Sequence, residues 1–573
     1  RIGIWVGGST TPNTHSQSID AFNAAQRVGS ESYQHVMLRC PWCASEMGPK
    51  RNYQKQGKKF IINGLRATGT GEGRKTLLHC PDPDCEYHGE LPVEVVDQGV
   101  YENPPSLIIG TVDKFAMLAW KHEGRSIFGI DSEGRHMVDP PGLIIQDELH
   151  LITGPLGSMV GLYEGVIEEL CTKRSKPDGE VIRPKLVAST ATTRASTRQI
   201  RDLYARDQTA VFPPPGLNAD DAFFATYDRF EEGPKKSKVK PGRMYLGVLA
   251  RGYGSGLTVN VRVFSALLAA ANLLPEEERD PWYTLLVFYN ALRELGAGLT
   301  LFGADIPERL ADLRNRWTPG KERRFLNHVL ELTGRLDNSE IPEALKALER
   351  RFPEDKRVVD ACLASNIIEV GVDVPRLSLM AVSGQPKNTA QYIQATGRVG
   401  RELPGLVVMA YDHRKSRDLS HFEHFRDYHR RLYAQVEPSS VTPFTIQLLE
   451  RALHGAFLVW IRNRIPVDKQ KDPREFFPPN SEARKSLQEF GNTMRARIQI
   501  LFRADPAACR QCLAVFDRVL KRRIQEWEAV TATDGRFLAV CWNNSDLSDD
   551  SGEMPLLRYF GEPCRIDWLP NTW

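Results

Sequence analysis

No run of apolar residues in this 573-residue chain approaches the ~20 needed to cross a bilayer, so no membrane-spanning helix is expected. The opening stretch, RIGIWVGG, has no basic head, long apolar core and cleavage site, which excludes a secretory signal there. An Arg rather than a Met at position 1 leads to the expectation of further sequence upstream. Neither sign of charge predominates. The formal net charge is only +3, so any polyanion must be met by local basic surface rather than by the field of the whole chain. The basic stretches Lys235 to Arg243 and His413 to Arg431 read first as solvated surface. Ten cysteines in a chain this long cannot make a disulfide scaffold, and four of them cluster in a metal-ligand pattern that fits a reducing cytoplasm. No repeat recurs at a solenoid period. A phosphate-binding G-x-x-x-x-G-K-[ST] string is also missing.

What is present is a repeated α/β pattern. LIIG (Leu107 to Gly110), LIIQ (Leu143 to Gln146) and KLVAS (Lys185 to Ser189) read as buried strands, each followed by a polar turn and a helix-like stretch. TLLVFY (Thr284 to Tyr289), LSLMAVS (Leu377 to Ser383) and GLVVMAY (Gly405 to Tyr411) repeat the pattern. Near-continuous apolar strands belong in sheets covered on both faces, so two tandem α/β domains are expected. The boundaries read as 1–212 for the first domain, 213–243 for a Pro- and charge-rich linker and 244–434 for the second domain. Residues 435–573 read as a separate, mixed but largely helical accessory domain.

The chemistry-bearing signal is LIIQDELH, where an apolar strand ends in Asp147 and Glu148. Adjacent carboxylates repel each other unless a cation offsets the repulsion. In an ATPase the first holds Mg²⁺ and the second polarises the attacking water. VASTATT (Val187 to Thr193) follows at another strand end, then ASNIIEVGVDVP (Ala364 to Pro375) and QYIQATGRVGR (Gln391 to Arg401). In this order and spacing the set resembles motifs II, III, V and VI of superfamily 2 helicases, with LLVFYNALRELG resembling motif IV and GTVDKF motif Ib.

The resemblance implies two RecA-like domains and an ATP-hydrolysing motor. It implies that Gln394 contacts the γ-phosphate and that Arg398 and Arg401 are arginine fingers. A guanidinium suits that role through its permanent charge and planar fork. It further implies that Ser189 and Thr190 couple hydrolysis to the polymer, that Gly371 and Asp373 lie near the nucleotide sugar, and that Thr111, Lys114 and Ser365 hold a nucleic-acid backbone. Because carboxylates and arginines fall in different domains, the expected site is complete only when the domains close. GTGEGRKT (Gly69 to Thr76) imitates a phosphate loop, but Arg74 stands where glycine is required and the stretch reads as a hairpin tip. The true loop is expected upstream.

Cys40-x-x-Cys43 and Cys80-x₄-Cys85 supply four thiolates at a spacing suited to structural Zn²⁺, in an insertion at about 36–92. His79 and His88 are alternative ligands. Cys509 and Cys512, and the histidines His421, His424 and His429, read as core or amphipathic-helix residues. ELTGRLDNSEI, LMAVSGQPKNTAQYIQATGRVGR, RDLSHFEHFRDYHRRLY and QVEPSSVTPFT together resemble DrmA, the helicase-like family of the bacterial DISARM anti-phage system. That resemblance implies ATP, Mg²⁺ and DNA as ligands, a DrmB-like partner subunit and a cytoplasmic location. The alternatives are a non-catalytic DNA-binding scaffold with a helicase fold, or an RNA helicase.

Overall fold

The computed structural model describes residues 1–8, 10–29, 32–51, 60–174, 181–190, 196–212, 242–252, 255–317, 323–336, 340–365, 374–437, 440–467 and 481–533. The chain divides into two compact units. The first is Arg1–Thr190, Ala195–Thr209 and Ser439–Trp573, and the second is Ala191–Arg194 with Ala210–Pro438. No described helix is long and apolar enough to cross a membrane.

The first unit carries strands β1 (Ile2–Trp5), β2 (Gly48–Arg51), β3 (Phe60–Asn63), β4 (Leu65–Thr68), β5 (Lys75–Leu78), β6 (Val93–Glu94), β7 (Leu107–Gly110), β8 (Leu143–Gln146), β9 (Lys173–Arg174), β10 (Val181–Ile182) and β11 (Lys185–Ala188). Strand β1 lies between β6 and β7, all parallel, and β8 pairs β11 in parallel. The pairs β2–β3, β4–β5 and β9–β10 are antiparallel. Strands β7, β8 and β11 form where expected, but they are not buried on both faces. Leu107, Ile109, Leu143, Ile145 and Val187 are 44–60% exposed, whereas the alternating Ile108, Ile144, Leu186 and Ala188 pack inward. Side chains alternate across a strand, so one covering layer hides only every second residue.

The covering layer draws on both ends of the chain. Met159, Leu162 and Val166 of the helix Gly154–Leu170 share one core with Leu453 and Trp460 of Ile446–Arg464, Phe490 of Glu482–Leu501 and Phe516 of Pro506–Thr533. Every residue of the helix Ile446–Arg464 from Gly455 to Asn463 is buried, because that half is enclosed on several sides. The described residues after 439 therefore do not stand apart as an accessory domain; their helices complete the core of the first unit. Two buried charges fasten them. Arg125 donates through Nη1 to the Ile465 carbonyl at 3.0 Å and through Nη2 to the Arg462 carbonyl, which satisfies the C-terminus of Ile446–Arg464. Arg497 donates to Glu168 at 2.7 Å, with both side chains buried.

The second unit is a six-stranded, all-parallel sheet of β12 (Arg243–Leu249), β13 (Leu285–Tyr289), β14 (Val329–Leu332), β15 (Ala361–Ala364), β16 (Leu379–Ser383) and β17 (Gly405–Tyr411), in the order β12-β17-β16-β13-β15-β14. Here the inner strands β13, β15, β16 and β17 are covered on both faces, while the edge strand β12 leaves Met244 and Leu246 exposed. Leu286 and Phe288 enter one core with Met380, Val382 and Tyr392, while Leu285, Val287 and Tyr289 enter another with Phe264, Leu295 and Phe302. All five residues of β13 are buried, as a central strand between two helical layers requires.

Candidate functional site

Parallel pairing sets the carboxylate end of the first unit. Ala188 of β11 lies opposite Gln146 of β8, so the next residues, Ser189 and Asp147, emerge together at the carboxyl ends of neighbouring strands. Ser189 N–H donates to the Gln146 carbonyl at 2.8 Å, and Leu149 N–H donates to the Ser189 carbonyl at 2.9 Å. The DELH turn is thus tied to the strand end that carries Ser189 and Thr190. Buried Gln199 secures it from below, donating from Nε2 to the Leu149 and Ile152 carbonyls, both at 2.9 Å. At the head of the turn, Glu148 has φ 49° and ψ 46°, a left-handed conformation that costs a non-glycine residue about 1–2 kcal/mol. Its N–H donates to Asp147 Oδ1 at 2.9 Å, and its carboxylate lies 3.3 Å from Nδ1 of buried His150. Asp147 is exposed, and the side chain of Glu148 is about half exposed. Two hard oxygen donors on a fixed turn, one with an accessible carboxylate, fit a Mg²⁺ ion that retains most of its waters. Thr190 Oγ1 is shut off from solvent with no hydrogen-bond partner among the described residues.

In the second unit Gln394 lies on the helix Thr389–Thr396, and Arg398 and Arg401 lie on the turn that follows it. Asn388 caps that helix, accepting from Gln391 N–H at 2.9 Å. The turn is held from β12. Arg243 donates from Nε to the Val399 carbonyl at 2.6 Å and from Nη2 to the Gly397 carbonyl at 3.2 Å. Tyr245 Oη lies 3.3 Å from Thr396 Oγ1. Gly400 has φ 66°, and a Cβ there would come within 2.8 Å of Gly405 Cα, so the second glycine of TGRVGR is a backbone requirement. Arg401 is exposed, Arg398 and Gln394 are partly so, and Arg401 Nε donates to the Gly397 carbonyl at 3.2 Å. Arg243 ends a basic stretch that reads as solvated surface, and no local pattern marks its hold on the turn, which acts across some 150 residues.

The residues expected to hold a nucleic-acid backbone divide. Thr111 is exposed at the end of β7. Lys114 is not available to a polyanion. It is buried, with Nζ 2.5 Å from Asp97 Oδ2 and 3.3 Å from Asn13 Oδ1. Burial pushes the Asp97 carboxyl up to about 6, against the pull of Lys114. Ser365 is also buried, at the end of β15, where its N–H faces the Leu332 carbonyl at 3.4 Å. Gly371 and Asp373, with most of the linker 213–243, lie outside the described residues.

Four sulfurs, those of Cys40, Cys43, Cys80 and Cys85, lie within 4.8 Å of one another, the one His/Cys/Asp/Glu cluster of metal-binding geometry among the described residues. Cys43 and Cys80 Sγ are 3.4 Å apart. A hydrogen bond from Ser45 draws the Cys43 thiol down to about 6. All-thiolate donors at this separation fit tetrahedral Zn²⁺. His79 and His88 each turn Nδ1 to the Cys80 carbonyl at 3.0 Å and are not in the cluster. The phosphate-loop imitation, Gly69 to Thr76, forms the tip of the β4–β5 hairpin and the first two residues of β5. Gly69 has φ 78°, a Cβ there would overlap the Gly73 carbonyl, and no helix follows to aim its dipole at a phosphate. His429 is occupied by Tyr392, and Cys512 packs in the first unit's core.

Residues 320–402 match the family described as the helicase conserved C-terminal domain. The chain is 35% identical over 505 residues to the DISARM protein DrmA of Bacillus paralicheniformis, covering 81% of this chain and 43% of DrmA. It is 30% identical over 137 residues to UvrABC system protein B of Borreliella burgdorferi, covering 22% and 19%. Among solved structures it is similar to the DUF1998 helicase MrfA bound to DNA and AMPPNP, at 16% identity and a TM-score of 0.42, covering 63% of this chain and 42% of that one. The chain spans less than half the length of the DrmA it matches.

Proposed function

The chain is DrmA-like over 81% of its length and carries a helicase C-terminal domain, and from that premise we propose that it is the motor part of an ATP-dependent DNA translocase in DISARM-type anti-phage defence. The observation that carries the reading is the turn after β8, where Asp147 and Glu148 lie between Gln146 and Leu149, the two residues whose backbone is hydrogen-bonded to Ser189.

In this reading Asp147 holds the Mg²⁺ that neutralises phosphate charge, and Glu148 orients and deprotonates the attacking water. Gln394, Arg398 and Arg401 meet the γ-phosphate and the charge that develops on it, a contribution of order 10³–10⁵ in rate for an arginine finger. The two sets sit on different units, so turnover requires both. Ser189 and Thr190 sense hydrolysis through the Ser189 carbonyl bond to the DELH turn. Thr111 contacts the polymer backbone. Cys40, Cys43, Cys80 and Cys85 hold a structural Zn²⁺. A DrmB-like subunit is the proposed partner.

A second reading, a DNA-binding scaffold without turnover, is favoured by one observation: the nearest approach to a phosphate loop is a hairpin. Binding titrations of unrelated DNA and RNA duplexes across salt test the shared polymer claim. A backbone reader binds DNA with little sequence preference and loses affinity steeply as salt rises. A flat salt response, or tighter binding to RNA, would sink it.

A further inference from the structure

The helix that carries Gln394 is short, eight residues, and is followed at once by the turn with Arg398 and Arg401. Helices of two turns are marginal unless something external fixes them. Two of the restraints are local or come from β12, as described above. The third comes from Glu437, which lies outside the superfamily motifs, in the string QVEPSSVTPFT. Glu437 accepts a hydrogen bond from Thr389 N–H at 2.9 Å through Oε2 and one from the Thr389 hydroxyl at 3.1 Å through Oε1. Thr389 is the first residue of the helix and is 2% exposed. A carboxylate on a first-turn N–H satisfies an otherwise orphan donor and faces the positive end of the helix dipole.

The same end is braced sideways. Tyr428 donates from its hydroxyl to Thr389 Oγ1 at 3.1 Å, and Gln385 Nε2 donates to the Tyr428 hydroxyl at 3.3 Å. One turn further along, the hydroxyl of fully buried Tyr392 lies 2.8 Å from His429 Nε2. Glu437 is nevertheless set apart by its position in the chain. It is the residue before Pro438, where the second unit ends and the chain continues into the first.

We infer that Glu437 is a positioning residue for Arg398 and Arg401: its carboxylate holds the N-terminus of their helix to the segment that leaves the second unit, so the arginines are aimed by the connector. The inference rests on the proposed ATPase reading for its consequence, but not for the anchoring itself.

Two measurements on Glu437→Ala and Glu437→Gln, made in the full-length protein, separate these. In hydrogen exchange, the Ala variant should speed exchange at the Thr389 amide and the following turn by about tenfold, while β13 and β16 keep their protection. The Gln variant retains an acceptor and should fall between it and wild type. In steady-state hydrolysis the Ala variant should lower kcat by about tenfold or more with KM for ATP within about twofold, because the loss is one of transition-state alignment. Exchange unchanged in the Ala variant overturns the anchoring. Faster exchange with an unchanged kcat overturns the positioning role. A wild-type protein that hydrolyses nothing sinks the ATPase reading instead, and the exchange data then decide the anchoring alone.

Discussion

Nζ of Lys114 and Oδ2 of Asp97 lie 2.5 Å apart, and each side chain is only 5% exposed. Oδ1 of Asp97 is shut off from solvent and has no hydrogen bond among the described residues. A lysine at a motif position that resembles a nucleic-acid contact is thus the counter-ion of a buried carboxylate.

Removing one partner of such a pair should cost more than removing both. Lys114→Met should lower unfolding stability by about 3–5 kcal/mol, since it leaves Asp97 buried and unpaired, and Asp97→Asn/Lys114→Met should recover most of the loss. The Asp97 carboxyl is raised from its ordinary 3.8 to about 6, so its contribution is present below pH ~4 and lost as pH rises through about 6. The single-variant penalty should therefore grow with pH. Guanidinium unfolding across pH checks both, and DNA affinity of the double variant should match wild type at fixed salt. A tenfold drop in DNA affinity with unchanged stability would restore Lys114 as a contact.

The central strands of the second unit are legible in the sequence because LLVFY and GLVVMAY are apolar throughout, as a sheet between two helical layers requires. The DELH and TGRVGR turns are legible for a different reason: glycine and paired carboxylates are local signals. What the sequence hides is partnership at a distance. Nothing near Lys114 announces Asp97, and nothing near Thr389 announces Glu437. The run AFLVWI in the helix Ile446–Arg464 signals burial, but its partner, Gly154–Leu170, lies almost three hundred residues earlier. Reading it as an accessory domain follows from proximity in sequence, and packing overrides that. The one-sided exposure of β7, β8 and β11 is hidden too, since their apolar runs match those of the second unit.

The first unit's core contains an acidic weak point. Burial pushes the Glu164 carboxyl up to about 7, with the neighbouring Glu168 also raising it and Arg497 opposing. A folded pKa above the unfolded value means stability that is full below pH ~4.5 and lost as pH rises through about 7. Thermal unfolding from pH 6 to pH 8 should show wild type losing stability that Glu164→Gln keeps. Parallel pH profiles for the two proteins would exclude Glu164 as the cause.

Zinc should be found at one ion per chain, held by Cys40, Cys43, Cys80 and Cys85. Because metal binding to such a site contributes directly to folding, Cys80→Ser should lower the melting temperature and release the metal. Elemental analysis with thiol titration checks this. Protein free of metal, with four freely reacting thiols and an unchanged melting temperature, would end the proposal.

Glu148→Gln keeps the shape of the side chain and loses the base, so in any form of the protein that hydrolyses ATP it should abolish turnover and leave DNA binding intact. The 573-residue chain itself should hydrolyse ATP poorly. It offers Asp147 and Glu148 for metal and water, and Arg398 and Arg401 for the transferring phosphoryl group. It contains no G-x-x-x-x-G-K-[ST] string, and Gly69 to Thr76 runs from a hairpin turn into a strand rather than into a helix. Without a nest of backbone N–H groups and a lysine on the β- and γ-phosphates, the remaining groups act on a loosely held substrate. Phosphoryl transfer is catalysed largely by positioning, so that loss falls on the rate as well as on binding. Assays of this chain beside a longer DrmA-like protein carrying a phosphate loop should show DNA-stimulated hydrolysis only in the longer one, lost when the loop lysine is changed to alanine. Robust DNA-stimulated turnover by the 573 residues alone would refute this, and Arg74→Ala and Lys75→Ala would then test whether the hairpin tip binds phosphate after all.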